Sequence, residues 1–310
     1  MTPDHDSLIL EQFTRQAAPF AALPAHSDEY GLDLCLSLAK LGPEDSVLDV
    51  ACGPGILACA MARTAKSVTG IDFTPAMIEQ AKSRQETLRL ETLIPASYNN
   101  DTLPVSGRDD GPARPCARRQ GRGCARPASE GSLDKSTSRL DGMRWQVGDA
   151  RSLPFNDGSF TLVTSRHAFH HFQNPSLVLA EMKRVCAPGG RILIIDATPD
   201  ADKKSAYDAL EKLRDPSHVS ALTPDELKKI ATDLGLTEKA SRFYRLEMKL
   251  EELLSASAIP PENVGQVRAL FQKDADTGVD RLGMAAHWKD GVLHLYYPVS
   301  ILVVTQTLCE

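Results

Sequence analysis

The chain of 310 residues predicts an α/β fold, in which a mostly parallel β-sheet lies between two layers of helices. Two observations support this prediction. Short apolar runs alternate with amphipathic stretches along most of the chain, which is the pattern of parallel strands joined by right-handed helical crossovers. In addition, the apolar run Ser46–Ala51 is followed by Cys-Gly-Pro-Gly, which indicates a buried strand that enters a tight turn.

Two helices are predicted before this first strand. Ser7–Leu23 carries apolar residues near helical spacing, and a second helix is expected at about Glu29–Leu41, ending at Gly42-Pro43. Residues 1–42 therefore form a helical segment that either folds over a site as a lid or covers an edge of the sheet. The sequence leaves both interpretations open.

The alternation continues after the first strand. A helix is predicted at Ile56–Ala65, and the next strand at Ser67–Ile71, with Asp72 at its tip. Thr74-Pro75 begins another helix that runs to about Leu90, with threonine as the N-cap and proline at the first helical position.

Residues 91–140 interrupt this pattern. They are rich in Gly, Pro, Arg and Ser and have no hydrophobic periodicity, so they cannot bury enough apolar area to offset the entropy of ordering. Arg89-Leu90 before the segment is echoed by Arg139-Leu140 after it, and removing the segment restores an ordinary helix–turn–strand connection. We predict a disordered insertion into a single domain that spans residues 1–310.

Strands and helices resume after the insertion and continue to the carboxyl end. The predicted strands are Met143–Val147, Phe160–Ser165, Arg191–Asp196, Ser241–Lys249 and a strand pair around Gly291–Gln306. The predicted helices are Ser176–Val185, which is closed by Pro188-Gly189-Gly190, Thr223–Leu234 and Pro261–Asp274.

Composition excludes several classes of function. No apolar run approaches the roughly 20 residues of a membrane span, and no signal peptide is apparent. The net charge is −6 and basic residues cluster only in the insertion, which argues against a nucleic-acid partner. The seven cysteines form no CxxC pair and no Cys/His metal spacing. We therefore expect free thiols, a cytoplasmic location and no metal.

Three signals at strand ends point to a ligand. Gly53-Pro54-Gly55 after the first strand lets a ligand approach the backbone closely at a helix N-terminus. Asp72 at the tip of the second strand can accept both hydroxyls of a ribose, and Asp149 after the third strand can accept an exocyclic amine. Dinucleotide enzymes use a similar turn, but Ala58 stands where a third glycine is expected. The other alternative is that the glycine turn binds no ligand and serves only the packing of the strand against the helix.

These positions together resemble the class I S-adenosylmethionine-dependent methyltransferases, and most closely the ubiquinone/menaquinone biosynthesis C-methyltransferase (UbiE-like) branch. The resemblance covers nearly the whole chain outside residues 91–140. It is carried by VLDVACGPG, GIDFTPAMIEQAK, WQVGDARSLPFNDGSFTLVTSRHAFHHF and LAEMKRVCAPGGRILIID. It implies a Rossmann-like three-layer sandwich, a seven-stranded sheet with an antiparallel last strand, and substrate-side helices with strand six in residues 199–290.

The resemblance also implies how the cofactor S-adenosyl-L-methionine is held. Gly53 and Gly55 pass under its methionine part, Asp72 holds the ribose and Asp149 the adenine. Arg166 holds either the methionine carboxylate or an acidic substrate. The remaining residues expected at the cofactor site are Asp49, Ala51, Phe73, Met77 and Ala150.

Catalytic residues are sought in the histidines that follow the fourth strand. His170 and His171 are the candidate bases, with His167 beside them, for an acceptor that has to lose a proton. Packing against the cofactor or capping the next helix is the alternative role. The segment Glu211–His218 is expected on the substrate side, where His218 could touch the acceptor.

The sequence thus predicts methyl transfer from S-adenosylmethionine to carbon or oxygen of a small-molecule acceptor. Two alternatives remain, a nucleotide-cofactor oxidoreductase and a catalytically inactive S-adenosylmethionine-binding or regulatory protein. The identity of the acceptor and the oligomeric state are left open.

Overall fold

A central β-sheet organises the chain in the computed structural model, which describes residues 4–23, 28–93 and 139–306. The strands in the described ranges are β1 (Ser46–Val50), β2 (Ser67–Asp72), β3 (Arg144–Val147), β4 (Phe160–Arg166), β5 (Cys186–Ala197), β6 (Leu236–Lys249), β7 (His287–Lys289) and β8 (Val292–Gln306). Seven of them form the continuous order β3-β2-β1-β4-β5-β8-β6, and the short β7 pairs with β8 as a hairpin.

The helices flank this sheet. They are α1 (His5–Ala22), α2 (Glu29–Ala39), α3 (Ile56–Ala62), α4 (Pro75–Leu93), α5 (Pro175–Val185), α6 (Lys204–Arg214), α7 (Pro224–Asp233), α8 (Leu250–Ala256) and α9 (Pro261–Thr277). A short 3₁₀ helix, Phe169–His171, follows β4. Within the described ranges, no helix combines the length and the apolar content that crossing a bilayer requires.

Strand direction confirms the predicted mostly parallel sheet. The strands β1 to β5 pair in parallel, whereas β8 is antiparallel to both β5 and β6. The strand order reverses between β1 and β4, since the chain first adds strands on one side of β1 and then on the other. Ligands of open α/β sheets bind outside the carboxyl ends of the strands at such a switch point.

The core lies on both faces of the sheet, because successive side chains of a strand point to opposite faces. Val47 of β1 packs in the cluster that includes α2 and α3, whereas Leu48 and Val50 pack in the cluster that includes α5 and α7. A third cluster joins α6, α8 and α9 to β8. The first two clusters attach helices to opposite faces of the sheet, which gives the predicted three layers of helix, sheet and helix.

Two strands begin earlier than the sequence pattern predicts. β5 starts at Cys186 instead of Arg191 and takes in Pro188-Gly189-Gly190, where its register with β4 shifts between Phe160 and Leu162. β6 starts at Leu236 instead of Ser241. The first five residues of β6 are mostly polar and exposed, so apolar alternation gives no sign of them.

The predicted insertion is bounded by residues that belong to the domain. Residues 94–138 lie outside the described residues, and most of the segment predicted to be disordered lies there, so this prediction stays untested. At the flanks, α4 continues to Leu93, and Leu140 is only 2% exposed. The side chain of Gln85 donates to the carbonyl of Leu140 at 2.6 Å, and Arg89 forms an ion pair with Asp141 at 2.9 Å. The two flanks therefore contact one another directly.

Candidate active site

A cavity of about 1210 Å³, open to solvent, lies at the carboxyl ends of β1, β2, β3 and β4. We call it the first cavity. Its walls come from the turns after these four strands and from α1. Nine of the ten residues predicted for the cofactor line it, namely Asp49, Ala51, Gly53, Asp72, Phe73, Met77, Asp149, Ala150 and Arg166. Residues far apart in the sequence are thus brought together at the switch point of the sheet.

The turn after β1 uses its two glycines differently. Gly53 has φ +52°, and a Cβ placed on it meets no heavy atom of the described chain within 4 Å. Gly55 has φ +74°, and its Cβ would lie 2.6 Å from the ring of Trp145 and 2.9 Å from Cβ of Ala81. Gly53 therefore leaves room for a ligand, whereas Gly55, the tenth predicted residue, packs under the turn and does not line the cavity.

Asp72 ties this turn to β2. Its Oδ2 accepts the backbone N–H of Gly53 and its Oδ1 that of Thr74, both at 2.8 Å. Burial raises the pKa of Asp72 to about 6, although these hydrogen bonds oppose the rise. The side-chain hydroxyl of Thr74 is a third donor to this carboxylate. A carboxylate offers about four lone-pair directions, so one remains for a donor in the cavity.

Asp49 and Arg166 place a carboxyl group and a guanidinium group in the wall of the first cavity. Asp49 is 1% exposed and accepts the hydroxyl of Thr164 at 2.7 Å. Burial raises the pKa of Asp49 to about 7, while the Thr164 hydroxyl and the charge of Arg166 act to lower it. Both side chains line the first cavity. The wall therefore offers the guanidinium of Arg166 as a cation and the carboxyl group of Asp49, which gains or loses its proton near neutral pH.

Asp149 is held by a residue that the sequence did not single out. Nε of Arg151 lies 2.9–3.0 Å from both oxygens of Asp149, and Nη2 of Arg151 lies 2.7 Å from Oδ2 of Asp6 on α1. Partial burial acts to raise the pKa of Asp149, but the hydrogen bonds from Arg151 outweigh it and hold the pKa below its ordinary value. Arg151 thus bridges α1 to the turn after β3.

Helix α1 forms a wall of the first cavity and of a second one. The second cavity, of about 640 Å³, shares Phe13, Phe20, His167 and His171 with the first. Nε2 of His5 also contacts the carbonyl oxygen of His171 at 2.8 Å. The N-terminal helix therefore lies over the junction between the two cavities.

His170 lines the second cavity and forms a dyad with Asp196 at the end of β5. Nδ1 of His170 lies 2.6 Å from Oδ1 of Asp196, whose Oδ2 accepts the backbone N–H of His170 at 3.1 Å. Burial acts to lower the pKa of His170, but the charge and hydrogen bond of Asp196 outweigh it, so the pKa is raised. Because Asp196 occupies Nδ1, Nε2 is the nitrogen left for the cavity.

His171 and His167 lie where the two cavities meet. Nδ1 of His171 contacts the carbonyl oxygen of Ser217 at 3.1 Å, and burial lowers the pKa of His171 to about 3. His171 is therefore neutral at physiological pH. His167 has φ +56°, an uncommon conformation for a residue other than glycine, and such strained residues cluster at functional sites.

His218 was one residue that could touch the acceptor, but it lies outside the walls of both cavities. Its Nε2 lies 2.7 Å from Oδ1 of Asp208. The described residues also include no group of three His, Cys, Asp or Glu side chains suited to a metal ion.

Comparison with known proteins identifies the family to which this chain belongs. A family model described as a methyltransferase domain matches residues 25–238. The chain belongs to this methyltransferase family. The predicted resemblance to class I, UbiE-like methyltransferases is thereby confirmed, and the oxidoreductase alternative is set aside.

Individual relatives agree with this assignment. The uncharacterized methyltransferase YcgJ of Bacillus subtilis is 24% identical over 270 residues, which cover 86% of this chain and 87% of the relative. The solved structure of YcgJ superposes with a TM-score of 0.66 at 21% identity and covers 90% of this chain and 100% of that one. The C-methyltransferase UbiE of Desulfotalea psychrophila is 41% identical over 75 residues, 24% of this chain and 30% of the relative.

Several residues of the two cavities were missed by the sequence interpretation. Arg151 follows the predicted Asp149 by two positions, and an arginine in a loop carries no signal of its own. Tyr207 and Tyr297 line the second cavity from α6 and β8, which are far apart in the sequence. Asp196 was also missed, although the sequence held a signal for it. An acid at the carboxyl end of a central parallel strand lies at the ligand-binding edge of the sheet.

Proposed function

We propose that this methyltransferase moves a methyl group from S-adenosylmethionine to carbon or oxygen of a small-molecule acceptor. One observation carries the proposal: a cavity lined by nine of the ten predicted cofactor residues shares four lining residues with a second, largely apolar cavity, and a histidine–aspartate dyad borders that second cavity. The two cavities suit two ligands whose reacting atoms meet near His167 and His171.

The residues of the first cavity fit S-adenosylmethionine. Gly53 leaves open space next to the backbone, which a flat or extended ligand can approach. Asp72 keeps one lone-pair direction for a ribose hydroxyl, and Asp149 can accept the adenine amine. Arg166 and Asp49 offer a cation and an acceptor for the carboxylate and the ammonium group of the methionine part.

When bound, S-adenosylmethionine supplies an electrophilic methyl group on a positively charged sulfur. The role of the protein is then to align the acceptor with that methyl group and to exclude water. Holding the two reactants in this geometry speeds the reaction, because the entropy cost of bringing them together is met on binding. Phe13 and Phe20 border both cavities and would shield the junction. We therefore favour α1 as a lid over an edge cover.

We assign the role of general base to His170. Nε2 of His170 is available to take a proton from the acceptor, and Asp196 fixes the ring and stabilises the imidazolium that forms. His171 is the weaker candidate for this role, since burial lowers its pKa to about 3 and efficient bases have a pKa near the working pH. We place His171 as a wall residue between the two ligands.

A cytosolic location is part of the proposal. Cys35, Cys52, Cys59 and Cys186 are free and buried in the described chain, as expected of thiols in a reducing compartment.

Thermal unfolding with candidate ligands tests the choice of cofactor. A ligand at a hundredfold excess over its Kd stabilises the folded protein by about 2.7 kcal/mol. S-adenosylhomocysteine, the demethylated cofactor, should therefore raise the unfolding midpoint, and NAD⁺ and NADP⁺ should not. A midpoint that rises with NAD⁺ and not with S-adenosylhomocysteine would overturn the proposal. Binding without methyl transfer across a broad acceptor panel would favour the regulatory alternative.

A further inference from the structure

One buried ion pair in the second cavity is not used by the proposed methyl transfer. Glu211 and Arg214 lie one turn apart on α6 and are both largely buried, with 2% and 11% of their side chains exposed. Nη2 of Arg214 lies 2.5 Å from Oε2 of Glu211, and Nε of Arg214 lies 3.1–3.2 Å from both carboxylate oxygens. The hydroxyl of Tyr297 donates to Oε1 at 3.3 Å. Three donors therefore hold the Glu211 carboxylate, two from Arg214 and one from Tyr297.

Arg214 is likewise matched by its surroundings. Its Nη1 donates to the hydroxyl of Ser257 at 2.9 Å. Burial acts to lower the pKa of Arg214, but the negative charge of Glu211 outweighs it, so the pKa is raised and the guanidinium stays charged. Asp215, which is 1% exposed, adds a second negative charge to the same wall. Arg214 is the sole lysine or arginine that lines this cavity among the described residues.

The rest of the lining is mainly apolar. It comes from α1, the segment after it, β6 and α8, in the residues Phe13, Phe20, Leu23, Leu246, Met248, Leu253 and Ala256. The polar exceptions are Gln16 and three histidines, His167, His170 and His171, and His170 already has Asp196 as its partner. A charged group that enters such a wall loses hydration and regains it only from an opposite charge that is still free to pair. Here the one guanidinium already has its carboxylate partner.

From this balance of charge we infer that the second cavity takes an uncharged, largely apolar acceptor, and that Glu211 determines this specificity by neutralising Arg214. Without Glu211, the guanidinium would lose the carboxylate to which it donates its hydrogen bonds, and a carboxylate or phosphate on the ligand could take that place. The inference rests on the proposed function, because it assumes that the second cavity holds the acceptor.

A matched pair of probes tests the inference. 2-Naphthol and 6-hydroxy-2-naphthoate share a fluorescent apolar ring and a hydroxyl and differ by one carboxylate. Their affinities are measured by fluorescence titration of the intact protein saturated with S-adenosylhomocysteine. The unmodified protein should bind naphthol about tenfold more tightly or better, and Glu211→Gln should shift the ratio of affinities toward the naphthoate by about tenfold or more.

A control with the same local geometry is available on α5. Glu181 and Arg184 are also spaced i,i+3 and paired at 2.7 Å, but they line neither cavity. Glu181→Gln changes the net charge as Glu211→Gln does and should leave the ratio unaltered. The double variant Glu211→Gln/Arg214→Gln should lose the gain in naphthoate binding. Ala256→Phe, which fills the cavity, should weaken both probes together.

Glu211→Gln leaves a buried guanidinium without its partner, so that variant can fail to fold. Ser257→Lys is the second variant, since it adds a second cation to the same wall and keeps the Glu211–Arg214 ion pair, although it removes the hydroxyl that accepts from Nη1 of Arg214. It should also admit the naphthoate.

Three results would overturn the inference: equal binding of both probes by the unmodified protein, binding of neither probe, or an unchanged ratio in every folded variant. Failure of the proposed function is seen separately, as absence of S-adenosylhomocysteine binding. The ratio of the two probes is then still measurable without that ligand.

Discussion

At the level of single residues, the turn after β1 depends on glycine for two separate reasons. The Cβ of an alanine at position 53 would occupy open space where we expect the ligand, whereas the Cβ at position 55 would collide with the indole of Trp145. Both positions have positive φ, which costs a residue with a side chain about 1–2 kcal/mol. The two substitutions should therefore affect different properties.

We predict that Gly53→Ala lowers the free energy of unfolding only by this strain of about 1–2 kcal/mol, yet weakens S-adenosylhomocysteine binding strongly. Gly55→Ala adds a steric clash and should lose about 2–5 kcal/mol of stability in total. Denaturant unfolding and calorimetric binding measure the two quantities. An alanine at position 53 that binds the ligand with unchanged affinity would argue against close approach at this glycine.

The dyad of His170 and Asp196 gives a second prediction at this level. His170→Asn should lower kcat by about 10²–10⁴-fold with an acceptor that must lose a proton, and S-adenosylhomocysteine affinity should stay the same. Asp196→Asn acts through orientation and charge. Because Asp196 raises the pKa of His170, its loss should move the acidic limb of the pH–rate profile to lower pH.

The comparison variant is His287→Asn, whose ring lines neither cavity. It should leave both kcat and the pH–rate profile unchanged. If Asp196→Asn lowers the rate without moving the acidic limb, the base is not His170.

Among the elements, α1 decides access to both cavities. Arg151 connects Asp6 of this helix to Asp149, and the Asp6–Arg151 pair is about 40% exposed on each side. Exposed pairs contribute about 0–1 kcal/mol, so we predict that Asp6→Asn speeds release of S-adenosylhomocysteine by up to about fivefold. Stopped-flow competition measures the release rate.

Helix α1 also supplies the control for this prediction. Glu11 pairs with Arg15 on the same helix, is 64% exposed and lines neither cavity. Glu11→Gln should release the ligand at the unmodified rate. If Asp6→Asn and Glu11→Gln release S-adenosylhomocysteine at equal rates, α1 is not a lid that Arg151 holds in place.

The connection between α4 and β3 carries a further prediction at the level of elements. The flanks of residues 94–138 already contact one another through Gln85 with Leu140 and Arg89 with Asp141. Replacing residues 94–138 by a short glycine–serine linker should therefore leave the thermal midpoint and S-adenosylhomocysteine affinity essentially unchanged. A large loss of affinity would show that the segment takes part in binding. The linker has to preserve Leu140, which is part of the core.

For the whole molecule, the first half of the sheet was predictable because each of its signals is local. The apolar run of β1, its glycine turn and the acid that ends β2 are contiguous in the sequence, and their positions agree with the structure. The second cavity was not predictable in this way. Its walls come from α1, α6, β6, α8 and β8, and only tertiary packing brings Phe13, Glu211 and Tyr297 together.

The boundaries that differed have physical causes of the same kind. β6 is the last strand of the sheet order, and its buried first residue, Leu236, is followed by three exposed polar residues, so its pairing with β8 overrides its weak local pattern. β5 extends back through Pro188-Gly189-Gly190, which looks like a turn in the sequence but lies in an irregular stretch of the strand. In both cases the neighbouring strand fixed the structure.

The central claim is that the first cavity binds S-adenosylmethionine through Asp72. Calorimetric titration with S-adenosylhomocysteine at pH 8 and pH 5, with Asp72→Asn beside the unmodified protein, tests it most directly. Burial raises the pKa of Asp72 to about 6, so the carboxylate proposed to accept from the ribose is ionised at pH 8 and mostly protonated at pH 5. Asp49, with a pKa of about 7, also titrates in this range and does so in both proteins. We therefore predict micromolar binding by the unmodified protein at pH 8, weak binding by Asp72→Asn, and a loss of affinity from pH 8 to pH 5 that is about tenfold larger in the unmodified protein than in the variant. Absence of binding at pH 8, or equally tight binding by Asp72→Asn, would contradict the claim.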